Sequence, residues 1–123
     1  MKIPENYQTV MPYLILANAA GFIDFTGQVF QAALTHKHMR DEKNIQHGEV
    51  MIGGSTIMFA DSTDQYPPRT SGFFVYVSDA DAVFNRALSF GATPVSAVAD
   101  QSYGRSGGFL DPFGNTWWIT TPV

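Results

Sequence analysis

The side chains able to do acid–base or coordination chemistry are few, and four of them lie close together in the chain. His36 and His38 stand two residues apart, and so do His47 and Glu49. On a strand, residues i and i+2 share a face, so each pair would present its groups on one side. An imidazole beside a carboxylate suits general acid–base work or the polar anchoring of a ligand. The other reading of His47 and Glu49 is a structural hydrogen bond at a sheet edge or dimer contact, and both stay open. A buried Glu49 must in any case be paired, because an unpaired buried charge is expensive. Two imidazoles and a carboxylate would suffice for zinc or iron. Nothing in the sequence brings the two pairs together, however. His36 and His38 are flanked by Lys37, Arg40, Asp41, Glu42 and Lys43, which reads as a solvated strand end. Arg105 lies in the Gly-rich stretch Ser102 to Gly108 with Tyr103. Its guanidinium suits a carboxylate or phosphate, or else pairs with Asp100 or Asp111 at the surface.

Other chemistries are absent from the residue inventory. The 123-residue chain has no cysteine, so disulfides, thiolate metal sites and cysteine nucleophiles are excluded. No serine sits in a nucleophile elbow or Ser-x-x-Lys context. The Gly-rich stretch lacks the Lys-Ser/Thr ending of a phosphate-binding loop. A net charge of −4 gives no footprint for nucleic acid and tolerates a cationic ligand. No apolar run approaches the ~20 residues that span a bilayer, and the polar first residues show no secretory leader. The expectation is a cytoplasmic protein without membrane or nucleic-acid partners.

The elements that would position these groups come in a repeated order. Val10 to Leu16 reads as a buried strand, and Asn18 caps a helix from about Ala19 to Gln31. Phe22, Phe25, Thr26, Val29 and Phe30 share one face of that helix. Strands follow at about Ala33 to Met39, Gln46 to Ile52 and Ser55 to Ala60, with Gly53-Gly54 as a hairpin turn. A polar linker, Ser62 to Ser71, precedes a second strand–helix–three-strand series. Its strands are predicted at about Gly72 to Val77, Thr93 to Ala99, Gly107 to Asp111 and Thr116 to Thr121. Its helix, capped by Ser78 or Asp79, runs to about Phe90 and ends at Gly91. Asp111 to Asn115 turns the chain between the last two strands. The order recurs at an offset of about sixty residues. The alternative is an unrelated α+β sandwich with two helices on one sheet.

Pro12-Tyr13-Leu14, His47-Gly48-Glu49 with Ile52-Gly53-Gly54, Val77 to Ala82, Gly91-Ala92 and Asp111 to Asn115 stand in a characteristic order. In this the chain resembles the vicinal oxygen chelate superfamily of glyoxalases, bleomycin resistance proteins and dioxygenases, and most of all its PhnB-like or bleomycin-resistance-like branch. The resemblance covers nearly the whole chain. It implies an α+β fold in a single domain over residues 1–123, with two βαβββ modules at about 8–61 and 71–123. They would form curved mixed sheets around a cleft, with the helices on the outer faces. It also implies a homodimer.

In catalytic relatives, four strand positions hold a divalent metal, and the resemblance carries them onto Met11, Met58, Gly72 and Trp118. None is a carboxylate or imidazole, which such cations want, and the adjoining residues are no better. No metal or cofactor is therefore expected. Strand alternation places Tyr13, His47, Glu49, Phe74 and Tyr76 on the same side as those positions. With Tyr103 and Arg105 from the Gly-rich stretch, they complete the expected ligand-binding set. Catalytic residues stay unassigned, with His47 and Glu49 as candidates and Arg105 as a further group that a metal-free enzyme could use. Leu14, Leu16, Ile57, Phe59, Phe73, Val75, Val77, Trp117 and Ile119 fall on the opposite, helix-packing side. Aromatics make up 14% of the chain, more than one core needs. The expected function is metal-independent binding of a small molecule in an aromatic, Met-lined cleft. The alternative is a metal-dependent glyoxalase- or dioxygenase-like lyase, isomerase or oxidoreductase with non-standard ligands.

Overall fold

A computed structural model describes residues Met1–Val123, and they divide into two compact units, Met1–Thr70 and Ser71–Val123. In the first unit, the chain runs β1 (Tyr13–Leu16), α1 (Ala19–Phe30), β2 (Ala33–Met39), β3 (Ile45–Ile52) and β4 (Ser55–Asp61). The sheet order is β1-β4-β3-β2, with β1 parallel to β4 and the other neighbours antiparallel. The second unit has β5 (Gly72–Tyr76), α2 (Ala80–Ser89), β6 (Thr93–Gln101), β7 (Gly104–Leu110) and β8 (Thr116–Pro122). Its order is β5-β8-β7-β6, with β5 parallel to β8. Both units are thus βαβββ modules with one topology, and the α+β reading holds.

The period-two assignment of faces holds as well. Leu14, Leu16, Val50, Ile57 and Phe59 are buried on the side that receives Phe22, Phe25 and Val29 of α1. Phe22 meets Phe59 edge-on, with ring centroids 5.4 Å apart. In the second unit, Phe109, Trp117 and Ile119 are fully buried and Phe84 of α2 packs edge-on to Phe109 at 6.4 Å. Burying such side chains contributes about 1.5–3 kcal/mol each.

Both helix starts are capped as their sequences direct. Asn18 Oδ1 accepts from Gly21 N at 2.9 Å. Asp79, rather than Ser78, caps α2, accepting from Ala82 N at 3.1 Å.

Two elements differ from expectation. β1 begins at Tyr13, not Val10. Pro12 has no N–H for a ladder, although its carbonyl accepts from Met58 N at 3.0 Å, and Val10 is 81% exposed. Most of the Gly-rich stretch is strand. β6 continues to Gln101 and β7 starts at Gly104, leaving Ser102-Tyr103 as the hairpin tip. Two of its glycines serve close packing. Gly104 has φ 143°, and a Cβ there would strike the Thr121 carbonyl. A Cβ on Gly108 would enter the ring of Trp118.

Candidate functional site

The polar face of the first unit's sheet carries a chain of hydrogen bonds built from four side chains. Cross-strand register sets it up. Tyr13 of β1 pairs with Met58 of β4, Met58 with Glu49 of β3, and Glu49 with His36 of β2. His47, two residues before Glu49, faces His38 across the β2–β3 ladder. All these residues point away from α1, so the sheet offers a polar face opposite its apolar one.

Within that frame, Tyr13 Oη lies 2.9 Å from His47 Nδ1. His47 Nε2 lies 2.7 Å from Glu49 Oε2. Tyr7 Oη donates to the other carboxylate oxygen, Oε1, at 2.7 Å. Tyr7 comes from the segment before β1. That segment is fastened to β4 where Gln8 Nε2 donates to the Thr56 carbonyl at 2.9 Å and Thr56 Oγ1 donates to the Asn6 carbonyl at 2.6 Å. The His36 ring stands 5.6 Å from that of His47.

Glu49 is only 5% exposed, yet its carboxyl is held below its ordinary pKa. Burial is the largest influence and pushes upward. The hydrogen bonds from Tyr7 and His47, together with the charges of His47 and His36, outweigh it. The neighbouring phenols respond in the opposite direction. Tyr7 is raised by its hydrogen bond to Glu49, and Tyr13 is raised by burial and by the Glu49 charge. Both tyrosines therefore stay protonated and serve as hydroxyl groups, not phenolates.

A depressed carboxyl favours folding above its unfolded pKa, and that advantage is lost as pH falls through the folded value. Glu49→Gln should accordingly destabilise at neutral pH by about 1–2 kcal/mol. The gap to the parent should close in acid, below about pH 4. Urea unfolding at the two pH values checks this; a gap independent of pH would contradict it.

Tyr13 also stands at the edge of a concavity of about 740 Å³. Ile15, Arg40, Gln46, Ala60, Asp61 and Tyr66 are among the residues lining it. That is within the ~300–1,000 Å³ typical of small-molecule pockets.

The second unit carries the rest of the expected set. Phe74 pairs in register with Trp118 on its polar-side face, and Phe74 and Tyr76 meet edge-on at 5.3 Å. These rings remain exposed, at 54% for Phe74, 68% for Tyr76 and 40% for Trp118. Gly108 lies in register with Trp118, and its missing side chain leaves room for the indole. Tyr103 is exposed at the hairpin tip.

Arg105 is paired within its own unit. Its guanidinium grips Asp81 through Nε at 2.6 Å and Nη2 at 3.1 Å, and reaches Asp100 through Nη1 at 3.0 Å. Two carboxylates around one cation leave no surplus positive charge for an anionic ligand. Asp100 was the expected surface partner and Asp81 was not. Asp111, the other expected partner, is buried and committed elsewhere.

The positions carried over as metal ligands do not fit a divalent cation. Met11 and Met58 offer soft thioethers, Gly72 offers no side chain, and Trp118 is a donor only. Nor is any group of three or more His, Cys, Asp or Glu side chains disposed to hold a metal.

Of the expected residues, the sheet brings Tyr13, His47, Glu49 and Met58 together. Tyr7 and the meeting of the two histidine pairs are not evident from the sequence. Tyr7 lies outside any strand, so no periodicity marks its direction.

Comparison with known proteins agrees with this architecture. The profile of the glyoxalase/bleomycin resistance protein/dioxygenase superfamily matches residues 10–119. The chain is 35% identical to protein Mb0911c of Mycobacterium bovis over 124 aligned positions, covering 91% of this chain and 82% of that protein. Protein Rv0887c of Mycobacterium tuberculosis is also 35% identical, with 91% and 73% covered. Among solved structures, TioX from Micromonospora sp. ML1 superposes with a TM-score of 0.76 at 23% identity, covering 94% of this chain and 100% of that one. A PhnB protein from Bacillus cereus gives a TM-score of 0.76 at 18% identity, with 93% and 99% covered. TnmS3 from Streptomyces sp. CB03234, described as an antibiotic binding protein, gives 0.71 at 18% identity, with 100% and 99% covered. With a doubled βαβββ topology and a profile match across most of its length, the chain belongs to the glyoxalase/bleomycin resistance protein/dioxygenase superfamily.

Proposed function

We propose that the protein binds a small molecule without the help of a metal ion. The observation that carries this reading is the concavity of about 740 Å³ that ends on Tyr13, beside the Tyr7–Glu49–His47 array. The hollow is of ligand size, and its wall mixes Tyr13, Ile15, Ala60 and Tyr66 with a majority of polar and charged side chains, which suits a ligand that bears polar groups. Met11 and Met58 add adaptable thioether surface on the same unit. Taken by itself, the second unit offers separate stacking surface for a flat ligand in the exposed rings of Phe74, Tyr76 and Trp118. The description of TnmS3 as antibiotic binding supports the same class of function. The donor chemistry at Met11, Met58, Gly72 and Trp118 weighs against a metal-dependent lyase, isomerase or oxidoreductase.

A second copy of the chain is the proposed protein partner. β2 and β6 are open sheet edges, and the Phe74–Tyr76–Trp118 face exposes aromatic area that association would cover. The proposed setting is the cytoplasm; no helix is long and apolar enough to cross a membrane.

Native mass spectrometry of protein purified without chelator tests the reading directly. The expected result is a dimer that carries no stoichiometric divalent ion and retains or accepts flat aromatic compounds. A stoichiometric metal held by the protein would overturn it.

Gly108→Ala gives a sharper check. The new methyl group must push the Trp118 indole aside. Trp118 is partly exposed, so the ring can move at a stability cost of about 1 kcal/mol. Affinity for a flat ligand should fall about tenfold, read by fluorescence titration. Unchanged affinity with a displaced indole would mean that the second unit's Trp118 face does not take the ligand.

A further inference from the structure

The hydrogen-bond chain from Tyr7 to Tyr13 has only two consistent proton arrangements. A carboxylate accepts and cannot donate. Tyr7 O–H and His47 Nε2–H must therefore both donate to Glu49, and Nε2 carries a proton in either charge state of the ring. The variable position is Nδ1, which faces Tyr13 Oη at 2.9 Å. In neutral His47, Nδ1 is a bare lone pair and Tyr13 must donate to it. The Tyr13 oxygen then offers only lone pairs to any further partner, and the array carries the full Glu49 charge. In protonated His47, Nδ1–H donates to Tyr13. The phenolic hydrogen turns outward, and the imidazolium cancels the carboxylate. One proton thus reverses the hydrogen-bond sense of Tyr13 and removes the array's negative charge, and both changes act in the same direction.

Resting on the proposed binding function, we infer that Tyr13 is the ligand-anchoring hydroxyl and that His47 sets its preference. With His47 neutral, the site takes a cationic hydrogen-bond donor, an ammonium or amidinium on an aromatic body. With His47 protonated, it takes a carboxylate instead. The groups around His47 leave this assignment intact. Glu49 lies on its own strand, His36 and His38 face it from β2, and Tyr13 comes from β1. β4 contributes Met58 and Ala60, which do not titrate, and the segment before β1 contributes Tyr7. Farther along the concavity stand Arg40, Asp61 and Asp64. Asp61 has both oxygens occupied by backbone N–H groups.

Benzamidine and benzoate are suitable probes, since each keeps its charge between about pH 5.5 and about pH 8.5, the range in which histidine commonly titrates. Isothermal titration should show benzamidine binding about tenfold more tightly at the upper pH, and benzoate about tenfold more tightly at the lower. Tyr13→Phe keeps the ring and removes the hydroxyl; it should weaken both probes and shrink both trends to the part carried by charge alone. His38→Asn should leave them in place. Long-range proton–nitrogen NMR of His47 reads the tautomer without any ligand. The Nε2–H form in the neutral state supports the inference, and the Nδ1–H form overturns it. Parallel trends for the two probes in the parent protein overturn it as well. If neither probe binds at either pH, the proposed binding function fails, while the His47 tautomer still decides whether the proton switch exists.

Discussion

Asp111→Ala should lower the stability of the second unit by on the order of 3–5 kcal/mol, the largest effect expected of any single substitution here. The carboxylate is 3% exposed and accepts four hydrogen bonds. Oδ1 takes the backbone N–H groups of Phe113 at 2.8 Å and Asn115 at 2.9 Å. Oδ2 takes Asn115 Nδ2 at 2.8 Å and Trp117 Nε1 at 2.9 Å. Alanine would remove the acceptor that the buried indole N–H and the Asn115 amide share. Asn115 and Trp117 are fully buried, so water has no ready access to replace it. The damage would spread, because Asn115 Oδ1 also holds Ser71 N at the entry to β5. Thermal unfolding followed by tryptophan fluorescence should show a midpoint lowered by more than about 10 °C. A loss under about 1 kcal/mol would mean that the turn holds its shape by backbone geometry alone. Asp111→Asn should fall between, since its amide keeps one acceptor and presents a donor to donors.

That residue shows where the sequence is legible and where it stops. Asp111 to Asn115 reads as a turn from its Pro and Gly, and Gly114 does adopt φ 97°. What the sequence does not display is that the aspartate reaches past the turn to an indole on the next strand. The strand faces are legible because a period of two is rigid, and Tyr13, Glu49, Phe74 and Trp118 all fall on the expected side. Cross-strand partnership is less so. The ladder between β2 and β3 shifts register between Leu34 and His36, and again between His38 and Met39. No local pattern announces such irregularities. They decide that His36 stands opposite Glu49, which gave the two histidine pairs a common face that their sequence neighbours concealed. The Gly-rich stretch misleads for a different reason. Its glycines signal flexibility when read locally, whereas Gly104 is demanded by the close approach of the β8 backbone and Gly108 makes room for the Trp118 indole.

Asp61→Ala should cost about 2–4 kcal/mol in the first unit, and the reason explains how two modules of one topology share so few residues. Asp61 closes β4 and is buried. Its Oδ1 accepts Ala19 N, the first helical N–H of α1, at 2.8 Å, and its Oδ2 accepts Ile45 N, the first of β3, at 2.6 Å. One carboxylate thus fixes the start of a helix and the start of a strand to the end of a third element. The second unit meets the first of these needs at the corresponding place, near the end of β8. There Thr121 Oγ1 accepts Ala80 N, the first N–H of α2, at 2.8 Å. A hydroxyl suffices for one donor where a carboxylate serves two. The topology imposes an orphan N–H at each helix start, and any acceptor that reaches it satisfies the fold, so the fold requires the hydrogen bond and not the residue type. The expected order of destabilisation follows from counting acceptors. Asp61→Ala loses two bonds and should be worst; Asp61→Asn keeps one carbonyl oxygen and should lose about half as much. Thr121→Val loses a single, partly buried bond and should cost about 1 kcal/mol. Urea unfolding of the three variants measures that order. If Thr121→Val proved as damaging as Asp61→Ala, the number of donors served would not be what sets the cost, and the β3 anchor would have to be assigned elsewhere.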